Sequence, residues 1–132
     1  MTQLQYFTAL GGIWLTIAWL PYILDRIMVR GLLGGMANPS PDDKPQSAWA
    51  QRAHRAHIVG VELYVAFAPL SILAMLTRPE DTLPGTLAMI FVFGMVAHYV
   101  IYLLGIPVLR TLAFACASLS CLALGLRLIG VI

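Results

Sequence analysis

The chain has 132 residues, 60% of them hydrophobic and 11% charged, with a formal net charge of +2. A water-soluble domain carries about 25% charged residues, so this composition excludes an ordinary globular surface, a disordered chain and a disulfide scaffold. The small net charge, with no basic run interleaved with aromatics, also argues against a nucleic-acid partner.

The first charge is Asp25, so Met1–Leu24 is an uninterrupted uncharged stretch. At about 1.5 Å per residue it reaches roughly 36 Å, enough to cross a hydrocarbon core of about 30 Å. No basic segment precedes it and it is long for a signal-peptide core, so it reads as a retained span. The Gly-rich segment Arg30–Ala37 caps that span or lies at the interface. Asn38–Ser47, with three prolines and three charges, is an aqueous loop. A second apolar block runs from about Trp49 to Thr77 but carries Arg52, Arg55 and Glu62 in its first half. After the tight polar turn Arg78-Pro-Glu-Asp81, no charge occurs from Thr82 to Leu109, longer than one span needs. Gly105-Ile-Pro107 divides it, because proline cannot continue a helix and suits the first turn of a new one. The sequence therefore predicts an all-α membrane protein, a four-transmembrane-helix bundle forming one domain over 1–132. Its helices are placed at about 4–29, 49–77, 83–104 and 107–130, with the polar loop at 38–47. Lipid leaves helices as the sensible spans.

Lysine and arginine counts set the expected orientation. Arg26, Arg30, Lys44, Arg52, Arg55 and Arg110 fall on the side of the long loop, and Arg78 and Arg127 on the side of both termini. The termini are thus expected outside and the loop in the cytoplasm. Cys116 and Cys121 lie roughly 140° apart on one helix, poorly placed to bridge, and read as small buried hydrophobes.

At 100° per residue, Arg52, Arg55, Val59 and Glu62 share a sector of about 80°. Ionisable groups are expensive in a bilayer and persist when paired or functional, so this stripe is either an Arg55–Glu62 ion pair fixing helix packing or part of a binding site. His54 and His57 face elsewhere, with no cluster at metal-ligand spacing, so no metal is expected. A second concentration gathers His98 and Tyr102 on one helical face, Tyr99 beside them, and Arg110 after the break. Tyrosines near a helix end are common interface-belt residues. Arginines converging on one side suggest an anion site for a carboxylate or thiolate ligand.

Trp49-Ala-Gln-Arg-Ala-His-Arg-Ala-His-Ile-Val-Gly-Val-Glu62, followed by Phe67-Ala-Pro-Leu70, resembles the signature of the MAPEG proteins, the membrane-associated proteins in eicosanoid and glutathione metabolism that include microsomal glutathione transferases. Tyr102-Leu-Leu-Gly-Ile-Pro-Val-Leu-Arg-Thr-Leu-Ala-Phe114 resembles the family's second motif, especially in its bacterial members. The resemblance spans essentially the whole chain. It implies a homotrimer with sites between protomers on the cytoplasmic side, and a bacterial inner-membrane location. It also implies glutathione as co-substrate and a transferase or peroxidase activity on lipophilic small molecules. By the same resemblance Arg55 and Glu62 contact glutathione, with Arg52 and His98 beside them, while Arg110 and Tyr102 stabilise the thiolate. Glutathione's two carboxylates and ammonium match such a set, and a thiol of pKa about 8.5 is more fully ionised beside a cation. Two positions depart from the family pattern: Val59 stands where asparagine is usual, and Leu63 where some members have tyrosine. Valine offers neither donor nor acceptor. The alternative is a non-catalytic MAPEG-like membrane subunit that packs in a larger complex or binds lipid.

Overall fold

The computed structural model describes all 132 residues, Met1–Ile132, and is entirely helical. Its helices are α1 (Gln3–Ile17), α2 (Leu20–Met36), α3 (Ala48–Thr77), α4 (Leu83–Leu104) and α5 (Pro107–Leu128). α1 and α2 run on as one bent span, Gln3–Met36, which with α3, α4 and α5 makes four helices long and apolar enough to cross a membrane. Only 24 of the 132 residues are buried, and large apolar side chains such as Val65, Leu76 and Leu119 stand outward. Water would not tolerate so much continuous apolar surface; lipid does.

The first span departs from a straight helix over 4–29. It bends at Ala18–Trp19, because Pro21 has no N–H to offer the Ile17 carbonyl one turn back. Side chains take over the work of the lost ladder. His57 Nε2 reaches the Leu15 carbonyl at 3.0 Å, Trp19 Nε1 donates to the Thr16 carbonyl at 2.7 Å, and the Tyr99 hydroxyl donates to the Ala18 carbonyl at 2.8 Å. A carbonyl only accepts, so Nε2 of the neutral His57 ring carries the proton, and Nδ1 accepts from the Tyr22 hydroxyl 2.9 Å away. Gly31, at φ 74°, then breaks α2 near its end in a conformation glycine adopts without strain.

Roughly 30 Å of hydrocarbon accommodates about 20 helical residues, so the first span and the 30-residue α3 both project beyond it. Their projecting parts are strapped together through the polar loop. Arg26 donates to the Ala37 carbonyl, Arg30 to the Lys44 carbonyl and the Asp43 carboxylate, and Gln46 to the Tyr22 carbonyl. Asp25, almost fully buried, accepts from the Ser47 amide at the start of α3, where a carboxylate complements the unpaired N–H groups of a helix. This end, with the loop and the α4–α5 turn, is called the loop end below; the other, with both termini and the α3–α4 turn, is the terminal end.

α4 lies centrally, packed against α1, α3 and α5. Phe67 of α3 stacks on Phe91 of α4 with ring centroids 3.9 Å apart, and Met95, Val92, Ala117, Cys121 and Leu124 complete the core. At Gly94 the backbones of α4 and α5 approach so closely that a Cβ would stand 2.9 Å from the Ala117 amide nitrogen. Small residues permit such approach between membrane helices, where dispersion contacts drive packing. Cys121 is buried, but Cys116 is exposed on the outer face of α5, unlike the buried position expected for it; both are free thiols.

Candidate functional site

The α4–α5 turn is built by Gly105 and Pro107. Gly105 closes α4 in the left-handed region at φ 79°, its amide donating to the Tyr102 carbonyl and the Ile106 amide to the Ile101 carbonyl. Pro107 then opens α5, where its missing N–H is no loss. Arg110 therefore sits in the first turn of α5, and its guanidinium carbon lies 4.2 Å from the centre of the Tyr102 ring. A cation over an aromatic face is held by the ring's quadrupole, which orients the arginine without consuming its N–H donors. Arg110 opens onto a shallow groove shared with Pro107, Val108 and Thr111.

His98 lies behind this pair. It is buried, packs edge-on against Tyr102 and beside Phe114, and its Nδ1 meets the Arg110 carbonyl at 3.0 Å. Nδ1 must carry the proton there, which leaves Nε2 as a buried acceptor with no partner. Within the chain His98 thus reaches the groove only through the backbone of Arg110.

Arg52 also acts on this turn. Its Nε donates to the Leu103 carbonyl at 3.0 Å, and its guanidinium lies against Gly105, where a Cβ would come within 3.3 Å of it. It satisfies one of the last carbonyls of α4 and places a cation at that helix's negative end. Arg52 consequently leaves the stripe it shares in sequence with Arg55 and Glu62.

Arg55 and Glu62 remain exposed on the outer surface of α3, with the half-buried Val59 between them. They form no ion pair with each other: the two ion pairs of the chain are Arg30–Asp43 and Arg127–Asp81, each at 2.8 Å. A packing-only Arg55–Glu62 bridge is therefore absent: seven residues of helix separate the two positions by about 10.5 Å along the axis. If hydrocarbon begins at Thr77, about 20 residues of helix carry it to the region of His57. Arg55 then stands at the boundary, and Glu62 roughly 7 Å inside. The loop end thus groups Tyr102 and Arg110 on one helix pair, and Arg55 and Glu62 on another face.

Two features escaped the reading of the residues. His57 and Tyr22 seal the bend of the first span, and the signal was Pro21 one turn after an apolar run. Arg127 donates to Asp81 across 46 residues of sequence; both lie at the terminal end, the only hint available. The arginine's hydrogen bond holds the Asp81 carboxyl below its ordinary value of 3.8.

A comparison with curated proteins returns no match. A model of the MAPEG family matches residues 4–130. That match takes in all four spans, the charged stripe of α3 and the α4–α5 turn, so this integral membrane chain belongs to the MAPEG family.

Proposed function

We propose that the protein is a membrane-bound glutathione-dependent transferase or peroxidase acting on hydrophobic electrophiles dissolved in the bilayer. The observation that carries this reading is the unpaired state of Arg55 and Glu62 on an outward face of a spanning helix. An ionised side chain within hydrocarbon costs about 2.5–3.5 kcal/mol on insertion scales, so such groups take partners. With none inside the protomer, the partner comes from outside it. Glutathione supplies two carboxylates for arginine and an ammonium for Glu62, and a neighbouring copy in a homotrimer encloses the ligand. Arg110, oriented by Tyr102, then stands beside the sulfur and favours the thiolate, the reactive form. In conjugation the thiolate forms an S–C bond while the carbon's leaving group departs with the electron pair. In peroxide reduction it takes one peroxide oxygen as a sulfenic acid, and the other leaves as alkoxide and is protonated to the alcohol. A second glutathione then converts the sulfenic acid to the disulfide and water. Arg52 and His98 shape the site from behind, through the α4–α5 turn and the Arg110 backbone. The positive loop end faces the cytoplasm in this reading.

A second reading, a non-catalytic subunit of a larger membrane complex, draws on Val59, which puts no polar atom between Arg55 and Glu62. Titration of the purified protein with glutathione, read by thiolate ultraviolet absorbance, separates the two. The enzyme reading expects a saturable thiolate signal that Arg110→Ala abolishes and Arg55→Ala shifts to higher glutathione concentration. Absence of both signal and binding in the wild type, with partner proteins co-purifying, would support the subunit.

A further inference from the structure

At the terminal end a cavity of about 190 Å³ opens between the start of α1, the end of α3 and the start of α4. From Arg55 to Arg78 the chain of α3 rises by about 35 Å, so this cavity is remote from the glutathione site proposed above. Its lining is mostly apolar by area, but Thr2, Gln3, Gln5, Arg78, Asp81 and Thr82 bring polar side chains to it.

The carboxylate of that wall is engaged, and several donors are left over. Asp81 Oδ2 is taken by Arg127 and Oδ1 by the Leu83 amide. Gln5 Oε1 accepts from the Thr2 amide and Thr2 Oγ1 from the Gln5 amide, which leaves the Gln5 –NH₂ and the Thr2 hydroxyl hydrogen free. Arg78 forms no ion pair, and the one hydrogen bond of its side chain, to the Leu128 carbonyl, is stretched to 3.5 Å. The uncommitted charge is thus positive, and the Gln5 amide and Thr2 hydroxyl add free donors beside the Gln3 amide and Thr82 hydroxyl. That chemistry fits an anion with several oxygens. The cavity also sits where α3 leaves the membrane and α1 and α4 begin, the depth of lipid phosphates, and the neighbouring Leu76 and Leu83 expose apolar side chains.

We propose that this cavity is a phosphate-binding site, with Arg78 as its cation and Gln5 and Thr2 as neutral donors. The phosphate arrives either on a phospholipid headgroup, its acyl chains lying along Leu76 and Leu83, or as the free ion. The planar guanidinium pairs with two phosphate oxygens at once, which a lysine cannot do.

The test uses the full-length protein in detergent, titrated with short-chain phosphatidylglycerol and, separately, with inorganic phosphate, binding being read by native mass spectrometry and by thermal shift. Saturable binding is expected, weakened at least about ten-fold by Arg78→Gln and less by Arg78→Lys. Lys44→Gln, which removes a charge at the loop end, leaves it unchanged. Binding of the lipid without competition from inorganic phosphate assigns the headgroup as the source; comparable binding of the ion assigns free phosphate; both support the site. Binding that is absent, or that survives Arg78→Gln undiminished, overturns it. Should Arg78→Gln fail to fold, a photoactivatable phosphatidylglycerol on the wild type decides: crosslinks concentrated within residues 73–86 and 1–5 support the site, and crosslinks confined to other segments refute it.

Discussion

Arg52 and Arg55 are three residues apart, carry the same charge and fall in the same motif, yet the structure gives them opposite duties. Arg52 donates to the Leu103 carbonyl and lies against Gly105, whereas Arg55 has no ion pair in the chain. A hydrogen bond from a charged donor contributes about 1.5–3 kcal/mol, and a cation at a helix C-terminus about 0.3–1 kcal/mol. Arg52 is half-exposed, so after Arg52→Ala water reaches the freed carbonyl and restores part of this. The expected loss is about 1–2 kcal/mol, roughly a 5- to 30-fold fall in the folded fraction ratio. Arg55→Ala removes no hydrogen bond or ion pair within the chain and should change stability by less than about 0.5 kcal/mol. Reversible unfolding of both variants in mixed micelles, without glutathione, measures the contrast. Equal destabilisation, or a larger effect at Arg55, would refute the division of roles. On the proposed glutathione reading, adding the ligand should reverse the order of effects: Arg55→Ala should lose ligand-induced stabilisation, while Arg52→Ala should retain most of it.

Val59→Asn restores a donor and an acceptor between Arg55 and Glu62; one added hydrogen bond to a charged ligand group, about 1.5 kcal/mol, should tighten glutathione binding about ten-fold, and an unchanged titration would remove Val59 as the weak point. Asp81 has its folded pKa held below the unfolded 3.8, chiefly by the Arg127 hydrogen bond, so its contribution to stability is complete above that value and is lost as pH falls through the folded one. Melting temperatures between pH 2 and 6 should therefore drop more steeply on the acid side for the wild type than for Arg127→Gln. Gly94→Ala drives a methyl to 2.9 Å from the Ala117 amide nitrogen and should cost about 1–3 kcal/mol; an unaltered melting temperature would show that α4 and α5 can separate freely.

The spans were legible because charge is scarce: each loop announces itself by its charged residues, and Gly105-Ile-Pro107 marks the one turn that has none. Membership of the family was legible in two motifs. The bend at Ala18–Trp19 was not, although Pro21 stands in plain view, because what makes a bend tolerable is the supply of donors, and His57 and Tyr99 come from other helices. Helical periodicity put Arg52, Arg55 and Glu62 on one face correctly as far as the backbone goes. Where a long side chain ends depends on which carbonyl lies within its reach, and the Leu103 carbonyl is 51 positions away. His98 teaches the same lesson: its shared face with Tyr102 was readable, its engagement with the Arg110 backbone was not.

The donors that seal the first span also impose a schedule on its assembly. The bonds that tie α2 to its own C-cap, to the polar loop and to the Ser47 N-cap of α3 join residues 11 to 24 positions apart, so that hairpin can close once the second span is made. The Ala18 carbonyl waits for Tyr99, 81 residues further on, which is delivered by the third span. A nascent chain holding only two helices therefore carries an unfinished hinge in its first span, open to lipid and free to straighten. Insertion of α4 locks it, and the angle of the first helix is set by the arrival of a later one.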